Sequence, residues 1–208
     1  MKKKIKFHIH SHTNASDSNN TILKMAGKAV SSGVDLLILT DHNTVTENEV
    51  IEDAEKKTGL MIIQGIEYTT FYGHIVSFGS KIYPFEKITQ DGLNVLASSV
   101  RGDGGVIGIA HPMGIGDPVC TGCAYNFKNT DYNLIDYIEV YHGNENEYGE
   151  WEKNRRFYMD RLKEGFKLHH VFAGDYHSSE DFREAPFINI CEVTGDTPEE
   201  IKKEVIKI

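Results

Sequence analysis

Six histidines and three acidic residues stand where apolar segments of the sequence stop. The first such run, residues 5–9, leads into His8-Ile9-His10-Ser11-His12, and Asp17 follows in Asn14-Ala15-Ser16-Asp17-Ser18. Later runs end in Leu39-Thr40-Asp41-His42, Gly65-Ile66-Glu67, Ile109-Ala110-His111-Pro112 and Ala173-Gly174-Asp175-Tyr176-His177, while Gly73-His74-Ile75 opens another. A polar group at the end of an apolar strand costs about 1–3 kcal/mol if it is buried without a partner. Five or six such termini in one chain require a common explanation. Imidazole and carboxylate together are ligands for zinc, manganese or iron, and nine of them suffice for two or three divalent ions with shared ligands and water. The expected metal ligands are His10, His12, Asp17, His42, Glu67, His74, His111, Asp175 and His177.

The chemistry expected of such a site is hydrolysis. A bound cation brings water towards a pKa of about 7, supplying hydroxide at neutral pH, and neutralises charge developing on a phosphoryl group. Other polar residues fit simpler roles. Strand alternation places His8 on the same face as His10 and His12, where it is expected to be a barrel-interior histidine bonded to a neighbour. Asp41 points away from His42 and is expected to hold nearby backbone. His142 ends the run Ile138-Glu139-Val140-Tyr141 at the same rim, as a substrate contact, a proton donor or a satisfied rim residue. Among Arg101, Arg155, Arg156 and Arg183 as anion clamps, Arg183 is nearest in sequence to Asp175 and His177, whereas Arg155 and Arg156 belong to a solvated helix face. His169 and His170 precede a strand at the opposite end and are expected to be structural. Glu145, Glu147, Glu150 and Glu152 read as a helix start and surface charge. Cys120 and Cys123 have zinc-ribbon spacing, but a single pair with Cys191 remote reads as a loop feature.

The elements that must position these residues alternate between strand and helix. Strands are expected at 5–9, 35–40, 61–67, 106–110, 137–141 and 171–173, with further strands at 75–78 and 187–193. Helices are expected at 21–32, 45–58, 88–101, 148–164 and 198–206. Repeated βα units imply a mostly parallel sheet covered by helices, either doubly wound or closed, with seven or eight strands favouring closure. Residues 112–133 form one long irregular stretch carrying Gly114, Gly116, Pro118 and Gly122, of the kind that serves as a lid or is disordered.

The 208 residues, with 39% hydrophobic and 25% charged, suit one globular domain with a single core. A formal charge of −9 repels a phosphate backbone and disfavours a nucleic-acid polymer as partner. The longest wholly aliphatic run, residues 36–39, is far short of the roughly 20 residues that span a bilayer. No signal-peptide pattern follows Lys2 to Lys4, and three cysteines fit reduced thiols, so a cytoplasmic location and no membrane partner are expected.

Taken in order, these motifs resemble those of the PHP (polymerase and histidinol phosphatase) metallohydrolases. The opening His-x-His pair with Thr and Ser-Asp is matched by His10-Ser11-His12-Thr13 and Ser16-Asp17, and Thr-Asp-His by Thr40-Asp41-His42. Gly65-Ile66-Glu67 with His74, Ala110-His111-Pro112 and Asp175-Tyr176-His177 match the remaining motifs. The resemblance spans residues 5–195 and implies a distorted (β/α)7 barrel with a trinuclear site. It implies one metal on His10, His12, Glu67 and Asp175, a second on Glu67, His74 and His111, and a third on Asp17, His42 and His177. Glu67 bridges two of these, and Glu67, Asp175 and His177 stand closest to the chemistry. A metal-dependent phosphoesterase of a small phosphate monoester or nucleotide is the implied activity. An amidohydrolase-like hydrolase and a non-catalytic metal-binding module are the alternatives. His8 departs from the family, which commonly has Asp there. The span from Glu67 to His111 leaves no room for the helical insert of some members.

Overall fold

A computed structural model of the chain describes residues 2–114, 124–143 and 149–207, except for the side chains of Arg183 and Glu184. Its strands are β1 (Lys3–Ser11), β2 (Leu36–Leu39), β3 (Met61–Thr70), β4 (Gly73–Phe78), β5 (Val106–Ile109), β6 (Tyr137–His142), β7 (His169–Tyr176) and β8 (Asn189–Val193). The helices are α1 (Ile22–Ser31), α2 (Asn48–Thr58), α3 (Leu93–Gly102), α4 (Glu150–Lys163), α5 (Asp181–Glu184) and α6 (Pro198–Val205).

Strands β1 to β7 pair in sequence order, and β7 returns to β1, closing a seven-stranded α/β barrel. The eighth strand lies antiparallel on the first half of β1, with Lys3 opposite Val193 and Phe7 opposite Asn189. Within the closed barrel the expected parallel order fails at one strand: β4 is antiparallel to both β3 and β5. Only Phe71 and Tyr72 link β3 to β4, too short a connection for a parallel crossover, which needs a dozen residues or more. This reversal matters for the site. It places Thr69 of β3 opposite His74 of β4, so a histidine at the start of one strand shares the rim with residues at the ends of the others.

The helices follow local rules. Thr21 caps α1, accepting a hydrogen bond from the Lys24 N–H, and Ile22, Met25, Ala26 and Ala29 form its buried stripe. Thr197 and Glu200 form a capping box around α6, with Pro198 in its first turn. The barrel interior is apolar below the rim: Ile5, Phe7, Ile9, Ile38, Val76, Phe78, Val106 and Tyr137 belong to one cluster. Gly108 of β5 is required there, because a Cβ at that position would lie inside the Tyr137 ring. Two further clusters pack helices against the outside of the wall, one including Met25, Leu37, Ile51 and Phe172, the other Leu93, Leu96, Ile107 and Ile138.

His8 belongs to the outer wall. Its ring meets Tyr176, Phe182 and Phe172 edge-on or tilted, with centroids at 5.1, 5.8 and 5.9 Å. The expectation of a single face for His8, His10 and His12, with His8 in the barrel interior, is therefore corrected. His10 adopts φ 73°, and the β1–β7 register shifts between Ile9 and Ser11. A bulge of this kind breaks the alternation on which that expectation rested.

Candidate metal centre

The rim of the barrel gathers all nine expected ligand residues. Glu67, fully buried on β3, is the hub: its oxygens lie 2.8 Å from His42 Nδ1, 2.8 Å from His74 Nδ1, 3.1 Å from His10 Nε2, 3.3 Å from His111 Nε2 and 3.5 Å from His12 Nε2. Asp175 at the end of β7 stands 3.1 Å from His12 Nε2, 3.3 Å from His10 Nε2, 3.7 Å from His177 Nδ1 and 3.8 Å from His111 Nε2. Asp17, half exposed in the β1–α1 loop, lies 3.1 Å from His177 Nε2 and 3.5 Å from His42 Nε2. The rings of His42, His12 and His177 stack, with centroids 4.3 and 4.2 Å apart.

Among the described residues, four groups bring ligand atoms close enough to share an ion: His12, Asp17, His42 and His177; His10, His111 and Asp175; His10, His12 and Glu67; and His42, Glu67 and His74. The first adds His12 to the set implied for one metal by the family motifs, and His111 groups with His10 and Asp175. The atoms fit cations better than they fit one another. His10 Nε2, His12 Nδ1 and Glu67 Oε2 are buried, yet none makes a well-aligned hydrogen bond among the described residues, although His42 Nδ1 and His10 Nε2 lie 2.8 and 3.1 Å from Glu67 Oε2. Such orphans are costly in a folded protein.

The electrostatics are those of opposed charges, buried at the centre around His10, His12 and Glu67 and more exposed at Asp17 and His177. Burial works against protonation of His10, but the carboxylates of Glu139, Glu67 and Asp175 outweigh it and raise its pKa well above the usual imidazole value. Burial likewise opposes the cation at His42, where Asp17 and Glu67 prevail and raise it to about 10. Burial also disfavours the charged forms of Glu67 and Asp175, but surrounding imidazoles, led by His10, hold both carboxyls well below their ordinary range. At His12 burial dominates and lowers the pKa.

Backbone strain is concentrated here as well. His10, His111 and Asp175 all have positive φ, at 73°, 20° and 46°. For non-glycine residues this costs of order 1–3 kcal/mol each and persists only where surrounding structure enforces it. Asp41 is buried and accepts from the Thr13 N–H at 2.7 Å, the Thr13 hydroxyl at 2.9 Å and the Ser16 hydroxyl at 2.7 Å. It fixes the loop that carries Asp17 and lies outside the four ligand groups, as its sequence position suggests.

Two acidic residues were not assigned to the site by sequence reasoning. Glu139, in the middle of β6, contacts His10 and the His111 backbone; a carboxylate flanked by Ile138 and Val140 was the available signal. Glu150, expected as surface charge, is buried and lies 2.8 Å from His142 Nε2, because α4 begins directly over the end of β6. His142 does stand at the rim, with its ring centroid 5.2 Å from that of His111. Arg101 pairs with Asp136, which also accepts from the Ile107 N–H at the start of β5, away from the ligand groups. Arg155 and Arg156 are exposed on α4, and His169 and His170 are exposed at the start of β7. The Arg183 side chain, Cys120, Cys123, Glu145 and Glu147 lie outside the described residues, as does the middle of the irregular stretch; Cys191 is a free thiol.

Residues 7–112, just over half of the chain, match the model of the PHP domain family. The chain belongs to the PHP domain family. A 5'-3' exoribonuclease of Haemophilus influenzae is 34% identical over 65 residues, covering 31% of this chain and 24% of that protein. An uncharacterised protein of Methanocaldococcus jannaschii is 25% identical over 122 residues, 58% of this chain and 66% of its own length. The chain thus spans about a quarter of the first relative and just under two thirds of the second. Among solved structures, a two-domain Bacteroides vulgatus protein containing a predicted PHP-like metal-dependent phosphoesterase superposes with a TM-score of 0.68 at 16% identity, covering 99% of this chain and 63% of its own. A Bifidobacterium adolescentis protein described as a putative metal-dependent phosphoesterase gives 0.55 at 17% identity, over 83% of this chain and 88% of that one. A Chromobacterium violaceum amidohydrolase with bound sulfate and no metal also gives 0.55, at 16% identity, over 88% of this chain and 90% of that one. At these identities the structural likeness speaks for the PHP-type barrel alone. The last of the motifs, Asp175 with His177, lies beyond the matched residues and is brought to the rim by β7.

Proposed function

We propose that this PHP domain is a metal-dependent phosphoesterase acting on a small phosphate monoester or nucleotide. The observation that carries the reading is the convergence of nine candidate ligand residues on one rim, with buried atoms of His10, His12 and Glu67 that make no well-aligned hydrogen bond. Two or three divalent ions, zinc, manganese or iron, would be held by the four groups described above, with Glu67 shared between neighbouring positions. Bound there, such ions supply a hydroxide nucleophile at neutral pH and positive charge for the phosphoryl oxygens.

The chain's own residues do the rest. Glu67, Asp175 and His177 surround the reacting centre, the first two as carboxylates kept ionised by adjacent imidazoles. Asp17 and His177, the most exposed of the set, form the side of the site open to substrate. His142 Nε2, held by Glu150, stands beside His111, where it can contact substrate or hold a proton near the leaving-group oxygen. Arg183, just after β7, is the proposed clamp for the remaining phosphate charge. A small substrate reconciles the overall acidity of the chain with an anionic ligand, because the ions reverse the charge locally. The same acidity weighs against a polymer, even though one relative is an exoribonuclease. No helix among the described residues is long and apolar enough to cross a membrane, and the reading puts the protein in the reducing cytoplasm.

The likeness to an amidohydrolase favours one second reading, attack on a carbon centre in an amide or lactone. The experiment is metal analysis of protein purified without chelator, followed by parallel screens of phosphorylated metabolites, amides and lactones. Bound metal with turnover of phosphate esters alone is the expected result. Hydrolysis of amides or lactones with no phosphate release would replace the proposal by the second reading.

A further inference from the structure

Below the rim, Glu139 occupies a position that the ligand motifs do not account for. It is completely buried. Its Oε1 and Oε2 lie 3.0 and 3.1 Å from His10 Nδ1, and Oε2 also accepts the His111 backbone N–H at 3.1 Å. One carboxylate therefore grips two of the three residues that hold a positive φ at the site. His10 and His111 come from β1 and from the end of β5, on opposite sides of the barrel interior, and their rings stack with centroids 5.6 Å apart. Tyr137, two residues earlier on the same strand, faces the barrel interior beneath.

We propose that Glu139 is a positioning residue that fixes the ring orientation of His10 and the backbone of His111, setting both imidazoles for metal binding before any ion arrives. The inference rests on the metal-site reading and adds a residue to it. A carboxylate only accepts hydrogen bonds, so the His10 nitrogen facing Glu139 must carry the proton. The other nitrogen, Nε2, then faces Glu67 and Asp175, at 3.1 and 3.3 Å. Carboxylate contact to the far nitrogen of a ligating histidine orients the ring and raises its basicity as a ligand. The second bond satisfies the His111 N–H, which its strained backbone would otherwise leave buried and unpaired.

Glutamine is the discriminating substitution. In Glu139→Gln the volume is kept, but the amide offers a single acceptor oxygen for the His10 Nδ1–H and the His111 N–H, and its NH2 faces a donor. If Glu139 only fills space, Gln restores wild-type behaviour and Glu139→Ala does not. If it positions, Gln fails as well. Chelator competition with zinc alone should show about 10–100-fold weaker binding in Glu139→Gln, with unchanged circular dichroism. Wild-type affinity in that variant overturns the proposal.

A second measurement needs no variant, should Gln impair folding. Long-range 15N correlation spectra of histidine-labelled wild-type protein should show a protonated Nδ1 on His10, with and without zinc. A bare Nδ1 overturns the proposal. If wild-type protein takes up no metal at all, the phosphoesterase reading fails, while the protonation of Nδ1 still decides the role of Glu139.

Discussion

The left-handed backbone at His10 and Asp175 makes a prediction whose sign can be tested against an internal control. An L-residue in this region pays about 1–2 kcal/mol that glycine does not. Glycine in turn loses about 0.5–1 kcal/mol relative to alanine, through the greater freedom of the unfolded chain. At φ 73° and 46° the first effect exceeds the second, so His10→Gly should be more stable than His10→Ala, and Asp175→Gly more stable than Asp175→Ala, each by about 0.5–1 kcal/mol. His12 is the control. It is as buried as His10 and at the same rim, but without positive φ, so His12→Gly should be less stable than His12→Ala by about 0.5–1 kcal/mol. Each comparison removes a side chain from both members of a pair, which cancels the lost imidazole or carboxylate contacts and leaves the backbone. Urea denaturation of the six chelator-treated variants gives the three differences. The reasoning is refuted if alanine equals or exceeds glycine at both His10 and Asp175, since the site would then hold no strain in its backbone.

Two further outcomes follow from individual side chains. Replacing the hub, Glu67→Gln, removes the carboxylate shared by five imidazoles; metal analysis should show at least one ion lost per chain together with loss of phosphate-ester turnover, and a variant with full metal content and rate would contradict the hub role. His8 is pushed by burial from 6.5 to about 4, so it is neutral in the folded protein while the unfolded chain protonates first. Its contribution is intact above pH 6.5 and is lost as the pH falls towards 4, amounting to about 2 kcal/mol by pH 5. Denaturation at pH 7.5 and 5 should show His8→Phe losing about that much less than wild type; identical losses would place a protonated histidine in the wall.

Eight of the nine metal candidates stand at or beside the ends of apolar runs, a pattern that needs no knowledge of the third dimension, whereas Asp17 lies in a polar turn and was proposed from its closeness in sequence to His12. The five longer helices were legible from their spacing and polar ends, with α2 and α3 beginning three and five residues inside the expected segments. The face on which His8 lies was not legible, since strand alternation predicts the side of a residue only while the strand stays regular, and the bulge at His10 is a property of the β1–β7 pairing. Glu150 was hidden for a similar reason. A run of acidic residues at a helix start reads as solvated charge, and only the approach of α4 to the end of β6 buries one of them against His142.

The antiparallel β4 shows how the fold and the site depend on each other. In an all-parallel barrel a histidine at the beginning of a strand lies at the opposite end from the other ligands. With only Phe71 and Tyr72 between β3 and β4, the chain must reverse, and the reversal sets His74 across from Thr69, two residues from Glu67. Thr69 also contacts His42, its hydroxyl 2.6 Å from Nδ1. A single tight connection therefore supplies a ligand candidate, its carboxylate partner and a hydrogen-bonding group for a third residue. Lengthening that connection into a helical crossover would move His74 to the other end of the barrel, so the distortion of the barrel is a condition for the site and cannot be separated from it.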